Sequence, residues 1–228
     1  MIKQKDIFKK SEANAWFHRN KESHHLCEAD WHNDDIVNFI KQNMVQPKEV
    51  LEIGCANGKR LHILHSLYKI NGTGIDPSID AIEDGKKRYS NFNFSVGTAD
   101  ELPYKDASFD TIILSFFLLM TDRIDLFKIA YEIDRCLEEG GTLIIREFMP
   151  PFAYKNNYGH LDGLYSYKMD YTSMFTWNPA YTEIAKVLSS HSLTIDYIDN
   201  PDERVAITAL YKNNKIAYPL NPLRSNNE

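Results

Sequence analysis

Two alternating hydrophobic periods run along the chain. Over 29–44, Ile36, Val37, Ile40 and Met44 recur at helical spacing, with Trp31 ahead of them and Pro47 closing the segment. Residues 49–53, with Val50, Leu51 and Ile53 around the carboxylate of Glu52, follow as a first strand. From Gly58 onward Leu61, Leu64, Leu67 and Tyr68 mark one face of a second helix, which stops before the turn signal NGTG at 71–74. TGIDPS, 73–78, predicts a short second strand ending at Asp76, with Pro77 and Ser78 opening a helix over 78–89. Third and fourth strands are expected at NFNFSVG, 91–97, and FDTIILS, 109–115. A helix over 122–137 carries Leu126, Ile129, Ala130, Ile133 and Leu137 on one face and stops at EEGG, whose glycines suit a left-handed cap. TLIIREF, 142–148, is a fifth strand.

Strands alternating with helices imply an α/β fold with a parallel sheet covered on both faces, whose ligands sit beyond the carboxyl ends of the strands. The C-terminal portion departs from that rhythm. LTIDYI, 193–198, and RVAITALYK, 204–212, are separated only by DNPDE, too short for a crossover helix, so they are expected to pair as an antiparallel hairpin. Between strand five and that hairpin lies a long aromatic stretch with little periodicity, and loops of such length and content are usually functional. The 228 residues show no repeat and no linker and suit one domain. Its parts are an N-terminal helical cap (1–47), a core (48–147), a substrate-side insertion (148–190), the closing hairpin (191–212) and a tail (213–228).

Charge and cysteines narrow the class. A net charge of −6, from 26 Lys+Arg against 32 Asp+Glu, opposes binding to a phosphate backbone, so nucleic acid is not expected. Cys27, Cys55 and Cys136 are odd in number and scattered, which fits neither a disulfide framework nor a zinc knuckle and suits a reducing cytoplasm. The first residues lack the apolar core of a signal peptide, and TIILSFFLLM, 111–120, falls short of the ~18 apolar residues of a membrane span, so no membrane role is expected.

The candidate chemistry starts at VLEIGCANG, 50–58. A glycine at the end of a strand lets backbone approach a ligand, and the helix that follows presents unpaired N–H groups. The spacing Gly54-Cys-Ala-Asn-Gly58 does not meet the GxGxxG fingerprint, because Ala56 stands where the second glycine would approach a pyrophosphate and Lys59 takes the third place. A carboxylate at Glu52 would repel a pyrophosphate and attract an ammonium or sulfonium, so a cationic ligand is expected.

These segments, in this order, resemble a class I S-adenosylmethionine-dependent methyltransferase over roughly 48–212. VLEIGCANG resembles the family's first motif, in which Cys55 is a small residue that fits the loop and Ala56 replaces a common glycine. GIDPS resembles the second, whose acid, here Asp76 with Pro77 beside it, takes both ribose hydroxyls. GTADELP, 97–103, resembles the adenine loop, with Asp100 accepting from the exocyclic amine and the backbone of Ala99 or Glu101 near the ring. FDTIILS and LEEGGTLIIREF resemble the later strand motifs, with Ser115 and Phe116 after strand four on the cofactor side and Phe116 or Phe117 beside the sulfonium. The resemblance implies a Rossmann-like, seven-stranded, mostly parallel sheet with a C-terminal antiparallel hairpin, helices on both faces and S-adenosyl-L-methionine as cofactor. The expected activity is methyl transfer to an oxygen or nitrogen of a small polar acceptor.

The aromatic segments outside the core more weakly resemble a bacterial subgroup tied to surface-saccharide and other small-molecule pathways. That would make the acceptor a sugar or natural-product intermediate. In SEANAWFHRN, 11–20, Arg19 with Asn20 suits the methionine carboxylate of the cofactor, and Trp16 with Phe17 suits a lid; the same residues also suit a helix simply docked by its aromatics. The insertion supplies Tyr154, Tyr158, His160, Tyr165, Tyr167, Asp170, Tyr171 and Trp177. His160 is the first candidate for a general base, since an imidazole exchanges protons near neutrality, with Tyr171 and Asp170 behind it. His24, His25, Cys27 and His32 lack the spacing of a structural zinc site, and His62 with His65 lacks an acid in the HExxH sense, so no metal is expected. A small molecule is the expected partner and a homodimer is compatible with the sequence. An NAD-dependent oxidoreductase would share the sheet and the ribose acid but predicts a second close glycine and no acid at Glu52. A cofactor-binding regulatory protein without turnover would share every motif.

Overall fold

The computed structural model describes residues 3–25, 33–192 and 195–221. The chain begins with α1 (Gln4–Ile7), a π-helical turn over Phe8–Glu12 and α2 (Ala13–His25). Helix α3 (Asp35–Gln42) starts where the Asp34 side chain accepts from the amides of Ile36 and Val37, each at 3.0 Å. There follow β1 (Glu49–Ile53), α4 (Lys59–Tyr68), β2 (Asn71–Asp76), α5 (Ile79–Arg88), β3 (Asn93–Val96), β4 (Phe109–Ser115), α6 (Leu126–Cys136) and β5 (Leu137–Phe148). Past β5 come a small antiparallel ribbon, β6 (Tyr154–Asn157) with β7 (Tyr165–Lys168), and one turn of helix, α7 (Ser173–Thr176). Strands β8 (Tyr181–Ser190) and β9 (Arg204–Lys212) close the sheet. The strand order is β3-β2-β1-β4-β5-β9-β8, parallel through β5 and antiparallel at β9 and β8.

Period-two alternation within the strands sorts the core onto the two faces of this sheet. Leu51, Ile53, Ile112, Leu114, Leu143 and Ile145 point to one face, where α6 contributes Ile129 and Ile133 and the insertion contributes Tyr171 and Phe175. Val50, Ile113, Ile144 and Ile207 point to the other, against Ile36 and Ile40 of α3, Leu61 and Leu64 of α4 and Ile82 of α5. The same parity decides which face each charged residue at the strand ends meets.

Three expectations need correction. The partner of β9 is β8, not 193–198: Ile195–Ile198 form a 3-10 turn, and residues 193–194 lie outside the described ones. β8 is the outer edge strand, exposed along most of its length and bulged between Glu183 and Ala185, so it has no alternation to read. The insertion therefore ends near 180. The glycines of EEGG do not cap α6, which ends at Cys136; the chain runs on into β5 with Gly140 left-handed, and the β4 register slips between Phe109 and Thr111. NGTG is likewise not a turn but the first part of β2, where Gly72 and Gly74 lie against Phe92, Leu61, Cys55 and Phe94. Trp31, Cys27 and His32, with the side chains of His24 and His25, lie outside the described residues. Among the described residues no helix is long and apolar enough to cross a membrane.

One helical glycine is fixed by a close approach. A Cβ on Gly85 of α5 would stand 2.7 Å from the carbonyl oxygen of Asn57 in the loop after β1. Helix propensity alone would make Gly85→Ala stabilising by up to about 1 kcal/mol. The backbone clash reverses the sign, and we expect a net loss of about 1–3 kcal/mol in chemical denaturation, the range for overpacking.

Candidate functional site

The strand order reverses between β1 and β4, and beyond the carboxyl ends of these strands lies a cavity of about 740 Å³, in the ~300–1,000 Å³ range of small-molecule sites. The loop after β1 makes its rim. Gly54 and Gly58 are left-handed, at φ 73° and 77°, and Ala56 between them is also left-handed at 47°. Ala56 is therefore a side chain in a conformation that glycine adopts more readily. The loop folds over the end of β2, where the Gly54 amide donates to the Ile75 carbonyl at 2.8 Å. Cys55 lies buried beneath it, its thiol pushed up by desolvation.

Asp76 closes β2 and binds both neighbouring loops. Its Oδ2 accepts from the Ala56 amide at 2.9 Å and its Oδ1 from the Ser78 amide at 2.8 Å. Burial pushes the carboxyl up to about 6 even against those two bonds. Each oxygen keeps a second acceptor site, so the group can hold the chain together and still take hydroxyl donors from a ligand. Asp76 and Pro77 both line the cavity.

The exits of β3 and β4 supply the next stretch of wall. Ala99 and Asp100 line it, whereas Glu101 is exposed and stands outside the lining. Asp100 Oδ2 accepts from Lys5 Nζ of α1 at 2.6 Å. Desolvation opposes its charge, but hydrogen bonds from Lys5 and Thr98 hold the carboxyl below its ordinary value. Ser115 and Phe116 line the cavity after β4, with Phe116 at φ 51°.

Strand parity builds a charged wall on the α3 side. Glu52 shares its face with Val50 and Arg146 shares its face with Ile144, so both point toward α3 and α4. Glu52, 2% exposed, accepts through Oε1 from Arg60 Nη1, and its Oε2 has no partner among the described residues. Arg60 Nε in turn reaches both oxygens of Asp34, at 3.1 and 2.9 Å. Burial, only partly offset by Arg60, pushes the Glu52 carboxyl up to about 7. Its charge is thus directed at α4. Arg146 Nη2 pairs with Asp35 while its guanidinium lies over the Phe116 ring, 4.8 Å from the centroid. His191, just past β8, completes this end with its ring 5.7 Å from Phe116 and 5.1 Å from Phe148. On the opposite parity, Glu147 accepts from the Leu118 amide at 2.7 Å, and burial pushes its carboxyl up to about 8.

At the N-terminal segment, Trp16 lines the cavity and Phe17 is buried against Ala56 and Ala81. Arg19 is not in the lining: its Nη2 pairs with Glu12 and donates to the Tyr158 hydroxyl at 3.1 Å. None of the three expected catalytic residues borders the cavity. His160 is exposed, edge-on to Tyr158. Asp170 accepts from the Thr172 amide at 2.9 Å at the start of α7. Tyr171 is 1% exposed; its hydroxyl donates to the Tyr167 carbonyl and accepts from Arg123, both at 2.7 Å. Sequence reasoning missed Arg60, Arg146 and His191. Arg146 was readable, since it sits in phase with Ile144 at the carboxyl end of a strand. His191 was not, because it follows a strand whose position was misread.

Comparison with known proteins gives a consistent result. The profile of a family described as "Methyltransferase domain" matches residues 45–187. The demethylmenaquinone methyltransferase of Thermotoga maritima is 34% identical over 109 residues, covering 47% of this chain and 46% of that protein. The ubiquinone/menaquinone biosynthesis C-methyltransferase UbiE of Rubrivivax gelatinosus is 38% identical over 80 residues, 35% of this chain and 31% of that protein. The matched stretches thus span less than half the length of these curated relatives. Among solved structures, a SAM-dependent methyltransferase of Methanosarcina mazei aligns with a TM-score of 0.62 at 17% identity, over 77% of this chain and 97% of that one.

Three carboxyls with raised values set a direction for stability with pH. Asp76, Glu52 and Glu147 rise to about 6, 7 and 8, so in this range the unfolded chain gives up their protons first. Stability from this source is complete below their unfolded values and is lost as pH rises through the folded ones. Calorimetric melting is expected to show this contribution to Tm falling from about pH 4, where the unfolded carboxyls ionise, to about pH 8. Glu147→Gln, which keeps the shape without the ionisation, should melt higher than wild type at the upper end and flatten the last part of that fall.

Proposed function

The chain belongs to the methyltransferase-domain family, and from that premise we propose that it moves the methyl group of S-adenosylmethionine onto a small acceptor whose flat, apolar body bears a hydroxyl. The carrying observation is that Asp76 and the left-handed loop after β1 face one cavity together with Ala99 and Asp100. Asp76 has the acceptor sites for both ribose hydroxyls, and Asp100 beside Ala99 suits the adenine amine and ring. Gly54, Ser115 and Trp16 border the space toward the methionine end. The bound cofactor supplies a methyl on a positively charged sulfur, an excellent leaving group. What remains for the chain is alignment, which can contribute several kcal/mol, to a ceiling of about 7–11.

Phe116, Leu119, Met120 and Phe148 border the other end, and they favour an aromatic acceptor over the sugar suggested by the tyrosine-rich insertion. Of the insertion's tyrosines only Tyr158 is among the lining residues. Removing the hydroxyl proton makes an aryl oxygen, or the ring carbon beside it, nucleophilic. In this reading His191 accepts that proton, since among the described residues it is the histidine that borders the cavity, next to Phe116 and Phe148. The two buried thiols of Cys55 and Cys136 suit the reducing cytoplasm read from the sequence.

Titration calorimetry with S-adenosylhomocysteine tests the cofactor assignment. Asp76→Ala should weaken binding at least about tenfold, which is about 1.4 kcal/mol; unchanged affinity removes the ribose assignment. With isotopically labelled S-adenosylmethionine and fractionated cell extract as acceptor pool, His191→Gln should slow transfer by about a hundredfold or more and leave the homocysteine product's affinity as it was. Equal turnover in that variant removes His191 from the mechanism.

A further inference from the structure

We propose that the acceptor carries a carboxylate and that Arg146 is the residue that holds it. The inference rests on the methyl-transfer reading and deepens it. Arg146 stands at the carboxyl end of β5 and lines the cavity on the acceptor side, one strand beyond the residues assigned to the cofactor. Among the described residues its guanidinium makes one hydrogen bond, from Nη2 to Asp35, whose side chain is 41% exposed, and this leaves Nη1 uncommitted. The Phe116 ring, 4.8 Å from the guanidinium carbon, supports the charge from one face. That leaves the N–H edge for a planar partner, and the guanidinium fork matches a carboxylate with two parallel bonds.

The surrounding charges leave this role to Arg146. Of the other cations in the lining, Lys5 is engaged by Asp100 and Asp125, Arg60 by Asp34 and Glu52, and Lys59 has an interaction of its own. Asp34 and the Oε1 of Glu52 are committed to Arg60, and the acid that pairs with Arg146 is Asp35 at the start of α3. Phe116 touches both residues, with the Arg146 guanidinium 4.8 Å from its ring centroid and the His191 ring edge-on at 5.7 Å. An aryl or aryl-alkyl acid lying along that ring would have its carboxylate at Arg146 and its hydroxyl within the reach of the histidine. The shared chemistry, a carboxylate, is also present in the methionine part of the cofactor, and the experiment separates the two sources.

The test uses the full chain saturated with S-adenosylhomocysteine and a panel of hydroxylated aryl and aryl-alkyl carboxylic acids, each paired with its primary amide, with binding read by calorimetry. At least one acid should bind about tenfold tighter than its amide. Arg146→Gln should abolish that preference and Arg146→Lys should retain part of it. Asp35→Asn, which releases the guanidinium from its pair, should tighten the acid and not the amide, a gain that loss of folding cannot mimic. The proposal is overturned by an absence of acid-over-amide preference across the panel, or by a preference that survives Arg146→Gln. A drop in S-adenosylhomocysteine affinity in Arg146→Gln also overturns it, because the carboxylate would then be the cofactor's own. Failure of the wild type to bind S-adenosylhomocysteine at all is a different result and removes the methyl-transfer reading itself.

Discussion

The hydrogen bond from the Ala56 amide to the Asp76 carboxylate is the constraint on which the site depends. It ties the loop after β1 to the end of β2, while the other oxygen of the same carboxylate receives Ser78 and so starts α5. One side chain thereby fixes two backbone segments that are some twenty positions apart in sequence. The loop can meet this demand only by taking left-handed conformations at Gly54, Ala56 and Gly58. Gly85 admits the same loop against α5 because it has no side chain to block the Asn57 carbonyl. Loop, strand end and helix start are one unit, and a ligand that engages Asp76 engages all of it.

A second constraint is the two-residue period of the strands. It buries Val50 and Ile144 against α3 and α4, and with no further choice it turns Glu52 and Arg146 the same way. Charges at the carboxyl ends of β1 and β5 thus meet helices bearing Asp34, Asp35 and Arg60. Glu147, one residue on, is turned to the opposite face and sealed beneath Leu118. Neighbouring acid and base in the sequence are therefore assigned to separate tasks by geometry alone.

Much of the first half of the fold was legible because β1, β2 and β4 are central and largely buried on both faces. FDTIILS could hardly be anything else. The glycine loop and Asp76 were legible for a related reason, since a strand end followed by glycine or by an acid and a helix start marks the rim of such a sheet. The edge was not legible. YTEIAKVLSS is exposed, charged and bulged, so its pairing with β9 comes from long-range contact and not from its own pattern. LTIDYI has the better alternation, although Ile195 and Ile198 are solvent-facing. That misplacement also hid His191. The insertion drew attention to His160, Asp170 and Tyr171 by composition, whereas the path of the chain puts Tyr171 into the packing under α6 and leaves His160 in solvent.

The ion pair between Lys5 and Asp100 carries a consequence for traffic through the cavity. The first helix is moored on both sides of that pair: Gln4 binds the Met120 carbonyl and the backbone of Tyr165, and Asp122 receives the amides of Gln4 and Lys5. Whatever arrives at Asp100 must either share it with the ammonium or displace it, and displacement strains moorings that run to the β4 exit and to the ribbon. A molecule that displaced the ammonium there would pull on the anchorage of a four-residue helix, and its dwell time would then depend on that clasp as well as on the groups that touch it.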